Sequence, residues 1–189
     1  MEATICARDF EIHVDLVVEP GAEARGEALA TALRQPLERY LFSEDERTIA
    51  EIVLELCRAE DLTLATAESC TGGIVAYANE VKVDELGVPD ELIASHGAVS
   101  AEVAAAMASG VRERLGADVG IAVTGVAGPG GGSPEKPVGL VHFHVSAPGG
   151  AKGREFSLPG DRDTIRARAT VASLHLARTV LTRSRHKDE

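Results

Sequence analysis

The chain has 189 residues, enough for one domain of ordinary size, about 100–150 residues, plus an appendage. Hydrophobic residues make up 44% but aromatics only 3%, so the core must be built from Ala, Val, Leu and Ile. A net charge of −11 repels nucleic-acid phosphates and anionic membrane surfaces and argues against both as bulk partners, while a small anion stays within reach of a local nest of N–H groups and one or two cations. Three cysteines (Cys6, Cys57 and Cys70) form no CxxC pair, which argues against a disulfide framework or zinc knuckle and for a reducing compartment. No apolar run approaches the roughly 20 residues of a membrane span, and no basic-then-apolar start resembles a signal peptide. The expectation is a cytoplasmic protein.

In residues 5–18, Phe10, Ile12, Val14 and Leu16 alternate with Glu11, His13 and Asp15, which predicts one strand with a buried apolar face. Pro20-Gly21 turns the chain into a helical stretch over 22–41, interrupted by Pro36. Residues 1–42 are thus a strand and a helix, too small to hold a core alone, and read as an appendage. Ser43-Glu44-Asp45-Glu46 reads as a capping box opening a helix with Ile49, Ile52, Val53, Leu56 and Cys57 on one stripe.

A buried strand follows at 62–67, then Glu68-Ser69-Cys70-Thr71-Gly72-Gly73, then 74–83 with a strand-like first half. A short helix over 89–95 ends at His96-Gly97. Ser100 caps a longer one that Gly116 terminates. Residues 119–125 form a second buried strand, a glycine-rich loop runs from Gly125 to Pro137, and 139–147 and 154–158 form a hairpin. Asp161 caps a last helix, and 184–189 is a polar tail. Strands alternating with helices predict one α/β domain over 43–183, a mixed sheet flanked by helices in three layers. Such folds place ligands at strand ends, here after Ala67 and after Val123.

Four groups of residues could carry chemistry. Ser69 sits on a Gly-containing turn at a strand end, where a hydroxyl can be presented beside free N–H groups of Thr71, Gly72 and Gly73; the ordinary alternative is a polar turn. Lys82 could act as a base if burial lowers its pKa, with Tyr77 orienting the proton; the alternative is a strand end with a solvated lysine. The loop around Thr124, Gly125 and Gly128 could bring N–H groups to a phosphate, helped by Lys136 and Arg162. Ser133-Pro134-Glu135-Lys136 also spells SxxK, a nucleophile–base spacing. His142 and His144 share a strand face at a two-ligand metal spacing without a third ligand in sequence, and Cys70 is a second nucleophile candidate, a buried structural thiol being its commoner fate.

ATAESCTGG, VAYANEVK, LGVP, HGAVS, VTGVAGPGGGSPEKPVG and FSLPGDRDTIR occur in this order. Together they resemble the nicotinamide-nucleotide amidase family, the C-terminal domain of competence-damage-inducible CinA proteins, over about residues 48–182. Residues 1–42 resemble the tail of the middle domain that precedes it; the activities of the family's larger N-terminal domain are not implied. The resemblance implies an α/β hydrolytic enzyme that needs no metal or cofactor, acts on the carboxamide of nicotinamide mononucleotide and is a homodimer. By the matching motifs Ser69 stands at the nucleophile, Lys82 at the base, Tyr77 at an assisting tyrosine, Thr124 at a site Ser or Thr, and Arg162 at a site arginine. A catalytically degenerate nucleotide-binding module of the same family is the alternative. The chain departs from the family where Gly73 runs straight into Ile74: about 20 residues expected there are missing. Either that segment is omitted from these residues or it is deleted in the protein. The strain of so short a link between parallel strands favours omission.

Overall fold

A computed structural model describes residues 1–8, 10–69, 74–76 and 78–185, with the backbone alone at 74, 75, 184 and 185. Two compact units result, Met1–Thr48 and Ile49–Glu189. In the first, β1 (Glu2–Arg8) pairs antiparallel with β2 (Glu11–Val17), and α1 (Glu23–Leu37) follows. The stretch expected to be one strand is therefore a hairpin, turned at Arg8 to Phe10, where Phe10 has φ 67. Apolar residues fall at odd positions up to Ala7 and at even positions from Phe10 on, and this change of phase is the one trace the turn leaves in the sequence. The expected buried face is also overturned: Ile5 and Ile12 are each 74% exposed. Among the described residues no further strand joins this two-stranded ribbon.

The second unit opens at α2 (Ile49–Ala59), six positions after Ser43. Ser43 is not its cap: its Oγ donates to Asp45 Oδ1 at 2.6 Å and accepts from Asp45 N, a local turn that competes with helix. The five-stranded sheet has the order β4 (Ile74–Val75), β3 (Leu64–Glu68), β5 (Val119–Gly125), β6 (Leu140–Ala147), β7 (Gly150–Ser157). Its β4–β3–β5 portion is parallel and the rest antiparallel. The expected hairpin partner of β6 is present and longer than predicted. The predicted strand over the first half of 74–83 shrinks to β4, and α3 (Asn79–Leu86) takes over.

One sheet face carries Ala65, Ala67 and Ala122 and packs on α5 (Ala101–Leu115) through Val103, Met107, Ala108 and Val111, with Leu86 and Val88 beside them. The other presents Val119, Ile121 and Val123, together with Val141, Phe143 and Val145, toward α6 (Arg162–Arg185), which also packs on α2. This is a three-layer α/β/α domain with a mixed sheet. Its caps follow the sequence: Ser100 Oγ accepts from Val103 N at 3.3 Å, Asp161 Oδ1 accepts from Thr164 N at 2.9 Å, and Gly116 is left-handed. A short helix, α4 (Asp90–His96), links α3 to α5. No described helix is long and apolar enough to cross a membrane.

The approach of α5 is close enough to require glycine. A Cβ on Gly110 would lie 1.7 Å from the Leu86 carbonyl oxygen, and one on Gly120 2.1 Å from that of Ala108. Helix propensity alone makes Gly110→Ala favourable by about 1 kcal/mol. The backbone clash outweighs it, because carbonyl oxygens at both ends are fixed by secondary structure. Gly110→Ala is expected to lower stability by about 2–3 kcal/mol in urea denaturation; a gain would mean that α5 stands off from α3.

Candidate active site

The C-terminal end of β3 brings three sequence-predicted elements together. Ser69 is half-buried just beyond Glu68, and its N–H donates to Val123 O at 3.2 Å, so it leaves the sheet beside Thr124. Glu68 O accepts from Ala76 N at 2.8 Å, which brings Ala76 back to the same strand end. Lys82 projects from α3 and its Nζ donates to Ala76 O at 2.7 Å. The side chain is 2% exposed, which replaces the expected alternative of a solvated lysine at a strand end. Lysine is rarely buried to this degree because leaving water penalises an ammonium. Glu68 is buried as well. It faces the α6 side of the sheet, where a cavity of about 70 Å³ is also lined by Thr66, Thr170 and Ser173. Sequence reasoning assigned Glu68 no role; an acidic residue directly after a buried strand was the available signal.

Beside this end, the turn at 96–99 offers four successive carbonyls, and each accepts a side-chain hydrogen bond. Lys136 Nζ donates to His96 O at 2.6 Å and Val99 O at 2.7 Å. Ser100 Oγ donates to Gly97 O at 3.0 Å, and Thr124 Oγ1 to Ala98 O at 2.8 Å. A Cβ at Gly97 would meet Lys136 Nζ at 2.6 Å, so the lysine passes against bare backbone. The glycine loop is thereby tethered to this turn by Lys136, and to α6 by Arg162 Nη1, which donates to Gly128 O at 2.8 Å. Two of the three Lys136 donors are committed, leaving one for a ligand. Gly125 and Gly128 are required by close packing: a Cβ would stand 2.8 Å from Leu140 O and 2.7 Å from a Val138 methyl, respectively.

Ser133 and Lys136 do not form the SxxK pair. Ser133 Oγ donates to Glu135 Oε2 at 2.9 Å and accepts from the backbone N–H of Lys136 at 3.1 Å. The Lys136 amine turns the other way, to 96–99. Pro134 and Pro137 bend the segment into a tight turn instead of the helix that spacing needs. Tyr77, Cys70, Thr71, Gly72 and Gly73 lie outside the described residues, so the expected oxyanion N–H groups and assisting tyrosine have no described geometry. Among the described residues no group of three His, Cys, Asp or Glu is placed to hold a metal.

A larger groove, about 560 Å³, lies elsewhere: between α5 and β6–β7, lined by Glu102, His142, His144 and Glu155. His142 Nε2 stands 3.6 Å from Glu155 Oε2. Burial holds His142 below the ordinary histidine value, with Lys136 adding to the effect and Glu155 and Glu102 opposing it; burial does the same to His144.

The fold and site define a three-layer α/β domain with a serine at a parallel strand end, a buried lysine nearby and a doubly tethered glycine loop. The family model described as "CinA C-terminal domain" matches residues 46–76 and 72–181, and the chain belongs to this family. It is 44% identical over 190 residues to the CinA-like protein of Gemmatimonas aurantiaca, covering 89% of this chain and 44% of that protein. It is 43% identical to that of Mycolicibacterium gilvum over 201 residues, 96% of this chain and 47% of the relative. The chain therefore spans less than half the length of these relatives. The crystal structure of the competence/damage inducible protein CihA from Agrobacterium tumefaciens superposes with a TM-score of 0.66 at 36% identity, over 70% of this chain and 92% of that one. The second alignment is longer than the 189-residue chain, so relatives carry positions with no counterpart here. The two family matches meet at 72–76, where the sequence departs from the family.

Two outcomes are expected. Lys136→Met should speed amide hydrogen exchange in both 96–100 and 125–137 and cost about 1–2 kcal/mol; unchanged exchange would make the lysine a free surface cation. For the histidines, folded values below the ordinary 6.5 or so mean that the unfolded chain binds more protons in the window between the two values. Stability is full above it and falls as pH drops through it. His144→Leu should flatten that acid limb in denaturation midpoints compared at about pH 7 and about pH 5.

Proposed function

We propose that the chain is an amidohydrolase that converts nicotinamide mononucleotide to nicotinic acid mononucleotide and ammonia. The observation that carries the reading is the buried Lys82, its Nζ 2.7 Å from the carbonyl of Ala76, which itself returns to the strand end bearing Ser69. Membership of the CinA C-terminal domain family supports the substrate class. In this reading Ser69 Oγ attacks the carboxamide carbon while Lys82, uncharged, takes its proton and Tyr77 orients it. N–H groups of residues 71–73 hold the oxyanion. The proton passes to the leaving nitrogen, ammonia departs, and water cleaves the acyl-enzyme. The glycine loop near Thr124, Gly125 and Gly128, with Arg162 and the remaining Lys136 donor, receives the single phosphate. The pyridinium of the substrate offsets part of its negative charge, so an acidic chain need not repel it.

A second reading, a nucleotide-binding module without turnover, is favoured by one observation. Parallel strands need a crossover of about a dozen residues or more, yet only residues 69–73 separate β3 from β4, whose pairing is Ala67↔Ile74 and Glu68↔Val75. The two readings separate in a paired measurement of ammonia release and calorimetric binding of nicotinamide mononucleotide. The amidase reading expects ammonia without added metal, a loss of about 10³-fold or more in Ser69→Ala and in Lys82→Met, and Ser133→Ala within about twofold of the parent. Binding without ammonia would replace it with the second reading.

A further inference from the structure

The groove of about 560 Å³ between α5 and β6–β7 has no part in the proposed hydrolysis, and its size is that of a site for a small organic molecule. Register sets its floor. His142 stands opposite Glu155 and His144 opposite Gly153, so both imidazoles and the Glu155 carboxylate share one face of the sheet. A Cβ at Gly153 would lie 3.1 Å from His144 Nδ1, so glycine there leaves the ring uncovered. The α5 wall carries Ala101 and Ala105, one helical turn apart, and Glu102. His142 is 7% exposed, and its Nδ1 is buried without a hydrogen-bond partner. Its Nε2 stands 3.6 Å from Glu155 Oε2, beyond hydrogen-bond length. Burial holds the His142 pKa below the ordinary histidine value, with Lys136 assisting and Glu155 and Glu102 opposing, so the ring is neutral at about pH 7. A neutral ring with its proton on Nε2, toward the carboxylate, offers Nδ1 as an acceptor. An acceptor buried without a donor is costly, and a ligand that brings an N–H removes the cost.

We propose that this groove binds a linear polyamine, with ammonium groups on Glu102 and Glu155, methylenes against Ala101 and Ala105, and an N–H on His142 Nδ1. Charge is the first argument. The two carboxylates stand on opposite walls, and the ion-pair partner of each is an imidazole 3.6 Å away, His96 for Glu102 and His142 for Glu155. Histidine balances a carboxylate only when protonated. Arg154, which also lines the groove, donates from Nη1 to the Gly153 carbonyl at 3.2 Å. Both carboxylates are thus open to an incoming cation. The kind of cation is the second argument. Among the described residues no three His, Cys, Asp or Glu are placed to hold a metal ion, and two carboxylates repel an anion. An organic cation suits the lining, because N–H donors meet the carboxylates and the imidazole while the carbon chain meets alanine methyls. A polyamine alternates these two kinds of group along one chain, in the order in which the groove presents carboxylate, methyls and carboxylate. None of this chemistry requires Ser69 or Lys82.

Titration calorimetry of the full chain with spermidine tests this, at about 150 mM salt so that bulk attraction to an acidic chain is screened. One saturable site is expected, with a dissociation constant on the order of 100 µM. Glu102→Gln and Glu155→Gln should each weaken it about fivefold or more, and the two together should abolish it. These side chains are 47% and 63% exposed, so circular dichroism and thermal unfolding should stay unchanged. His142→Phe should also weaken binding about fivefold, through loss of the acceptor. Glu113→Gln, at the far end of α5, should leave it within about twofold. Absence of saturable heat, binding that survives the double carboxylate change, equal weakening by Glu113→Gln, or displacement by magnesium at equal ionic strength would each overturn the proposal.

Discussion

The close approach of α5 to bare backbone is the constraint on which the site depends. Its middle lies against the Leu86 carbonyl at the end of α3 and its own Ala108 carbonyl lies against Gly120 of β5, contacts that leave no room for a Cβ at Gly110 or Gly120. The distance from α5 to α3 sets where Lys82 stands. The same helix begins at Ser100, so its placement also sets the turn at 96–99. A helix packed at ordinary side-chain distance would move both away from the end of β3. The chain's poverty in aromatics has its use here, because Ala, Gly and Val let layers approach closely without voids.

Around that frame the polar interactions are concentrated on loops. Carbonyls 96–99 are each satisfied by a side chain from another element or from the helix cap, and Lys136 and Arg162 hold the glycine loop from two sides. A loop rich in glycine is costly to order; long-range side-chain bonds offset that cost at particular points. Lys136 is a structural tie between the loop and the turn at 96–99.

The chain belongs to the CinA C-terminal domain family, and the two matches to the family model meet at 72–76. That junction falls between the serine and the lysine, the two groups whose cooperation the amidase reading needs. The first unit is a different case. Among its described residues Gly26 alone is buried, and Ile5 and Ile12 are each 74% exposed.

Much was legible in the sequence because it was local. Ser100, Gly116, Asp161 and the β6–β7 hairpin announce themselves through capping and turn chemistry within a few residues, and the buried strands at 64–68 and 119–125 through continuous small apolar runs. The hairpin in 2–17 does not follow from the alternation of Phe10 to Leu16, because that run covers β2 alone and the change of phase between Ala7 and Phe10 is a weak mark of a turn. The false cap at Ser43 was missed because Ser-Glu-Asp-Glu satisfies a local turn as readily as a helix start. What only the tertiary structure decided is non-local: that a lysine written in a polar stretch, ANEVKVDE, is buried against Ala76, and that Lys136 spends its amine on carbonyls about 40 positions away instead of on Ser133. Burial and hydrogen-bond partners depend on which elements meet, and periodicity along the chain does not encode it.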